Sequence, residues 1–252
     1  MNTTLKRVLF LGILIAIWEV IYKLQIWPPI LFPSPLQVGE TLYLGIIDGS
    51  FITSLGDSFK RLLIGYGFAL IIGTLLGLII ASSKLMEDTL GSLVLALQSV
   101  PSIVWLPLAI LWFGMGEAAI IFVVVLGGTW NMVINASTGI KNVRPLLLKA
   151  AKTMGITEHN LFFKVTIPAA IPHLITGMRL SWAFCWRALM AGELLGSGNG
   201  LGQILMWGRE MGNMSMVISI MIIIATLGSL TDGIIFKPLE NKVLERWGLA
   251  KI

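Results

Sequence analysis

Residues 62–81 read LLIGYGFALIIGTLLGLIIA, twenty consecutive positions without a charge, with Lys60 and Arg61 just before them and Lys84 just after. At 1.5 Å of rise per residue a helical run of this length matches a hydrocarbon core of about 30 Å. Inside lipid, only a helix or a closed barrel satisfies its own backbone. Further apolar stretches occupy about 8–26, 90–112, 118–140, 171–195 and 216–236. The pattern predicts an all-α polytopic membrane protein with about six transmembrane helices. Composition agrees: of 252 residues 56% are hydrophobic and 12% charged, and the mean hydropathy is +0.88. A soluble domain carries about 25% charged residues, so these charges cannot cover a water-facing surface, and a soluble enzyme is excluded. Six spans use about half the chain at roughly 20 residues each, which leaves no room for a large soluble catalytic domain. The reading is one transmembrane domain over 1–252, with a peripheral first helix at about 8–26 and core helices over about 60–236.

The net charge is +5, and in a membrane protein such an excess marks cytoplasmic flanks rather than a nucleic-acid face. With the N-terminus in the cytoplasm, the inner segments hold Lys6, Arg7, Lys84, Lys141, Arg144, Lys149, Lys152, Lys164, Lys237, Lys242, Arg246 and Lys251, which is 12 of the 18 basic residues. The positive-inside rule then puts both termini in the cytoplasm. Lys60 and Arg61 fall on the other side, where an interfacial helix would let them snorkel to the headgroups. No small-residue cleavage site follows the first apolar stretch, so it reads as a retained helix rather than a signal peptide.

Catalytic and metal motifs are absent. His159 and His173 have no HExxH context, and Cys185 is the only cysteine, so no metal site is expected. The glycines at 196–202 are followed by no Lys-Ser or Lys-Thr and preceded by no strand, so they form a turn and not a phosphate loop. Any ATP-driven step belongs to another chain.

The segment 142–168, NVRPLLLKAAKTMGITEHNLFFKVTIP, is the informative one. Pro145 opens a short helix near its first turn, and Gly155 ends it at a position suited to a left-handed cap. A second short helix follows, with Leu161, Phe162 and Val165 on one face, stopped before Pro168. Such a pair either docks on another protein or packs on the membrane surface.

The spacing Ala150-Ala151, Gly155, Val165-x-Ile167-Pro168 resembles the signature of permease subunits of binding-protein-dependent type I ABC importers, with Lys149 where that family has Glu. Residues 31–35 (LFPSP), Pro101, Pro107, 112–117 (WFGMGE) and 191–193 (AGE) resemble its nitrate, sulfonate, taurine and bicarbonate branch. The resemblance implies a homodimeric import pore in the bacterial or archaeal inner membrane. It implies an ABC ATPase partner that binds ATP and Mg, and an extracytoplasmic solute-binding protein; this chain itself carries no cofactor. It also assigns ATPase coupling to Ala150, Ala151, Gly155, Ile156, Thr157, Glu158, Val165, Ile167 and Pro168.

Candidates for the solute path come from polar residues at membrane depth. Asn131 and Asn135 share a helical face, either lining the path or bonding helix to helix. Arg187 and Glu193 lie within the fifth span, where an ionisable group is a functional candidate. They sit some 240° apart around the helix and are not expected to pair. Arg187 either attracts an anion or pairs with another span. Pro101 and Pro107 each bend the third span, and Gly73 and Gly77 form a small-residue face expected to pack within the subunit. The alternatives are an ATP-independent transporter or channel, for which Glu19 and Glu193 are the plausible coupling carboxylates, and an ABC permease for a thiamine-precursor-like heterocycle.

Overall fold

A computed structural model describes residues 3–196 and 198–247; Lys251, and Ser197 of the glycine turn, lie outside the described residues. The described chain is helical, without a strand: α1 (Thr3–Lys23), α2 (Pro35–Ile47), α3 (Ser50–Ser82), α4 (Lys84–Gln98), α5 (Ser102–Phe113), α6 (Glu117–Lys141), α7 (Pro145–Thr153), α8 (Glu158–Leu195), α9 (Leu201–Glu210) and α10 (Met214–Arg246). Four of these, α3, α6, α8 and α10, are long and apolar enough to cross a membrane, and α4 with α5 makes a fifth candidate. The expected first span is α1, 21 residues long, which carries Lys6, Arg7, Glu19 and Lys23.

The chain divides into two compact units. The first holds residues 1–58 and 198–226. There α1 is tied to the next segment by Trp18, whose indole N–H donates to the Pro33 carbonyl at 3.0 Å, and by Trp18 and Trp27 against Phe32. The stretch after α1 turns quickly into α2 because Ser34 and Gln37 form a capping box: the Ser34 hydroxyl accepts from the Gln37 N–H and the Gln37 amide oxygen accepts from the Ser34 N–H. Ser219 of α10 donates to the Val38 carbonyl at 3.1 Å, and the Ser58 hydroxyl accepts from the Leu201 N–H at the start of α9.

The second unit holds residues 59–197 and 227–252, and α6 is its centre. Along α3, Gly65, Ala69, Gly73 and Gly77 meet Val124, Gly128, Met132 and Ala136 of α6 in turn. Both series advance by four residues, so the two helices run parallel and in step. Glycines let the backbones approach closely, which in lipid replaces the missing hydrophobic drive between helices. Gly73 and Gly77 therefore pack within the subunit, as expected. On its other side α6 runs antiparallel to α8: Gly127 meets Ala188, Gly177 meets Asn135 and Gly139 meets His173. The Tyr66 hydroxyl donates to the Met178 carbonyl, Cys185 to that of Val124 and Ser181 to that of Gly128.

The parallel pairing of α3 and α6 fixes the role of the pair between them. The chain must return to the opposite end before α6 begins, so α4 and α5, bent 93° to each other, act as one broken span. Here the structure corrects an expectation. Pro101 lies in the break, in extended conformation, whereas Pro107 sits in the first turn of a helical segment, where its missing N–H costs nothing and bends nothing. A second correction concerns Pro168, which does not stop the second short helix. That helix continues unbroken into the span, because residues 162–166 form a π-turn in which the Ile167 N–H reaches back to the Phe162 carbonyl. The wider turn makes room for the proline ring that an α-turn would drive into the carbonyl of Lys164.

A side chain at Gly77 would place its Cβ 2.6 Å from that of Ala136 and 2.7 Å from the Val133 carbonyl oxygen, whereas Gly67 of the same helix has open space. Gly77→Leu is expected to destabilise by about 1–3 kcal/mol through overpacking, and Gly67→Leu to leave stability unchanged or raised. Thermal unfolding of the purified variants checks this, and equal midpoints would contradict the packing.

Candidate functional site

The second unit separates its charges by end. At one end meet α3 around Arg61, the first turn of α6 and the last turns of α8; at the other meet the end of α6, α7, the start of α8 and the tail of α10. Lys84, Lys141, Arg144, Lys149, Lys152, Lys164, Lys237, Lys242 and Arg246 belong to this second, basic end.

The residues expected to couple to an ATPase form one compact element there. Pro145 is the first residue of α7, and Gly155 takes the left-handed conformation with φ +81°. The Ile156 N–H donates to the Ala151 carbonyl at 3.2 Å and the Gly155 N–H to that of Lys152 at 3.0 Å, the paired bonds of a Schellman cap. Ala151 is buried and Ile156 half-buried, while Ala150 faces out. Thr157 is the N-cap of α8, where the Asn160 amide donates to its hydroxyl at 3.1 Å. Lys152 and Glu158 bridge the turn at 2.8 Å. Val165, Ile167 and Pro168 are half-buried along the π-turn. The element leaves Leu146 78% and Met154 81% exposed beside the exposed Lys149 and Lys152.

Nearer the middle of the unit, the break between α4 and α5 opens a recess of about 80 Å³ lined by Gln98, Pro101, Ser102, Asn131 and Phe184, among others. Non-helical backbone at membrane depth is tolerated where it is buried in protein or lines a watery cavity. Asn131 is buried; its amide oxygen accepts from Gln98 at 3.5 Å. Asn135 does not line this recess: its amide donates to the Asn131 carbonyl at 2.8 Å and its side chain meets α8 at Gly177. Arg187 is exposed, makes no ion pair among the described residues, and sits 5.1 Å from the centre of the Phe184 ring.

Glu193 lies at the other end, with Arg61. The two side chains are 1% and 3% exposed and 2.8 Å apart, and Arg61 also reaches Glu117 at 3.3 Å. Arg61 therefore does not snorkel to headgroups, as expected of an interfacial helix. It continues the four-residue stripe of Gly65, Ala69, Gly73 and Gly77 on the inward face of α3, and that spacing is the sequence signal for it. Arg187 and Glu193 do not pair, as their spacing implied. Gln98 and Ser102 were not legible as recess residues, since only the break brings them to Asn131. Among the described residues no cluster of His, Cys, Asp and Glu could hold a metal ion.

Residues 73–237 match the family model described as the inner membrane component of binding-protein-dependent transport systems. The chain belongs to this family. The permease is 32% identical over 96% of its length to the putative aliphatic sulfonates transport permease protein SsuC of Bacillus subtilis, covering 87% of that protein. It is 28% identical to the nitrate import permease protein NrtB of Synechocystis, with 88% and 83% of the two chains covered. It is 27% identical to the taurine transport system permease protein TauC of Escherichia coli, with 88% and 82% covered. In fold it resembles the inward-facing MetNI methionine ABC transporter, with a TM-score of 0.66 and 18% identity, over 79% of this chain and 96% of that one. The permease is thus an all-α membrane component of an ABC importer, and the ATP-independent alternative is not favoured.

Removing one partner of a buried ion pair leaves an uncompensated charge, at a cost of about 3–5 kcal/mol. Glu193→Gln is expected to lower the unfolding midpoint of the purified permease sharply. Lys60→Met removes only the exposed contact to Glu117 at 3.8 Å and is expected to cost at most about 1 kcal/mol. Comparable midpoints for the two variants would refute the assignment.

Proposed function

We propose that the permease pairs with a second copy of itself to form an import path for a small oxyanion or organosulfur solute, of nitrate, sulfonate, taurine or bicarbonate type. An extracytoplasmic binding protein delivers the solute, and a partner ATPase that holds ATP and Mg drives the cycle. Residues 1–252 serve as one permease domain in the cytoplasmic membrane, with both termini in the cytoplasm. The names of the sulfonate, nitrate and taurine relatives support the solute class. The path runs past the recess of Asn131, with Arg187 attracting the anion across the Phe184 ring; Asn135 and Glu193 support it from behind, one against α8 and the other against Arg61.

The observation that carries the coupling assignment is the α7 turn. A backbone cap and two prolines make a short rigid element at the basic end, and it holds Leu146 and Met154 out in water. Exposed apolar side chains on a stiff element fit the groove of a partner protein. A force applied by the ATPase at 150–158 passes through the unbroken helix α8 into the span, with no loop to absorb it.

Gly155 has open space around it and a positive φ, so a substitution there acts through the backbone and not through crowding. Asn tolerates this conformation and a β-branched residue does not. Gly155→Val is expected to cut uptake about tenfold or more while ATP hydrolysis persists, as a strained turn of 1 kcal/mol or more breaks the register; Gly155→Asn is expected to retain most uptake. Normal transport by the valine variant in proteoliposomes would overturn the coupling assignment. Separately, Arg187→Gln is expected to abolish substrate-stimulated ATPase activity with assembly intact, and unchanged uptake would remove Arg187 from the path.

A further inference from the structure

The basic end holds a cavity that neither the coupling element nor the recess accounts for. It measures about 420 Å³ and lies among the end of α6, the start of α7, the π-turn side of α8 and Trp247 at the end of α10. Its polar groups are Asn142, Arg144 and His173, and no carboxylate lines it. All of them offer hydrogen-bond donors: a guanidinium fork, an imidazole N–H and an amide. Neither Arg144 nor His173 makes an ion pair among the described residues. Val143, Leu147, Pro172 and Trp247 supply apolar wall.

α6 and α8 pack closely beside His173, since a side chain at Gly139 would place its Cβ 2.7 Å from that of His173. Trp247 is held through α10, whose Glu240 accepts from Thr176 at 3.0 Å and from Arg179, while Asp232 takes the other face of the same guanidinium at 2.6 and 2.7 Å. These carboxylates are committed to Arg179, so the cavity keeps its positive character.

We propose that this cavity is a binding site for a phosphate-type oxyanion, recognised by Arg144 and His173 with Asn142. A planar guanidinium suits bidentate contact with such an anion. Two sources share that chemistry. One is the headgroup of an anionic phospholipid in the inner leaflet, which the basic end and the interfacial Trp247 favour; the other is a free anion from the cytoplasm. The occupant touches α6, α7, α8 and α10 together and so braces the start of α7. The binding itself does not depend on the coupling role proposed for that helix.

The test uses the full-length permease in lipid nanodiscs. In one arm the discs contain phosphatidylcholine alone, inorganic phosphate is titrated and the unfolding midpoint is followed. In the other, phosphatidylglycerol is mixed in and the lipid retained after extraction is counted by native mass spectrometry. The wild type is expected to be stabilised by phosphate or to retain phosphatidylglycerol, and the arm that responds names the source. Arg144→Gln and His173→Gln are each expected to weaken that response about tenfold, while Lys242→Gln, a control for lost charge, leaves it unchanged. Should Arg144→Gln fail to fold, Arg144→Lys keeps the charge without the fork and is expected to weaken binding by about threefold. A wild type that responds to neither probe, or foldable Arg144 and His173 variants that respond as the wild type does, would overturn the site.

Discussion

The close approach of α3 and α6 is the constraint from which the second unit follows. Water gives two helices a reason to associate, whereas lipid does not, and the attraction must come from backbone contact. Gly65, Ala69, Gly73 and Gly77 supply that contact over four turns. Their register forces the helices to be parallel. Parallel helices in turn force the chain between them to cross back, and the bend at Pro101 is the form that crossing takes. The recess at Asn131 is thus a by-product of helix packing before it is a route for anything.

Two kinds of polar contact serve two purposes in this frame. Arg61 with Glu193 is buried and ties the fourth turn of α3 to the last turns of α8. Such a pair adds little net stability over an apolar substitute, but it permits only one alignment. The ties at the basic end are more exposed: Lys141 with Glu87, Lys152 with Glu158, and Arg179 with Asp232 and Glu240. The contrast gives the unit a fixed end and an adjustable end, and the element proposed to meet the partner protein lies on the adjustable one.

Much of this was legible in the sequence because it rests on local rules. Long uncharged runs give spans, and Pro145 and Gly155 bracket α7 with the chemistry of helix ends. What was not legible depends on partners far along the chain. Arg61 looks interfacial until Glu193 is brought beside it. Pro168 looks like a stop until the π-turn before it absorbs the ring. Gln98 looks like an ordinary helix end until the break aims it at Asn131. In each case a local preference is overridden by a contact or a backbone adjustment that spacing alone does not encode.

The separation of Arg61 from Glu193 also bears on how the protein is made. The two are 132 residues apart, so the arginine emerges from the ribosome long before its buried partner exists. A lone guanidinium is costly at membrane depth and must wait near water, with Glu117 as an earlier, half-exposed companion. The depth of α3 in the bilayer therefore becomes final only after α8 has been synthesised and inserted, and the first core span to be translated is among the last to settle.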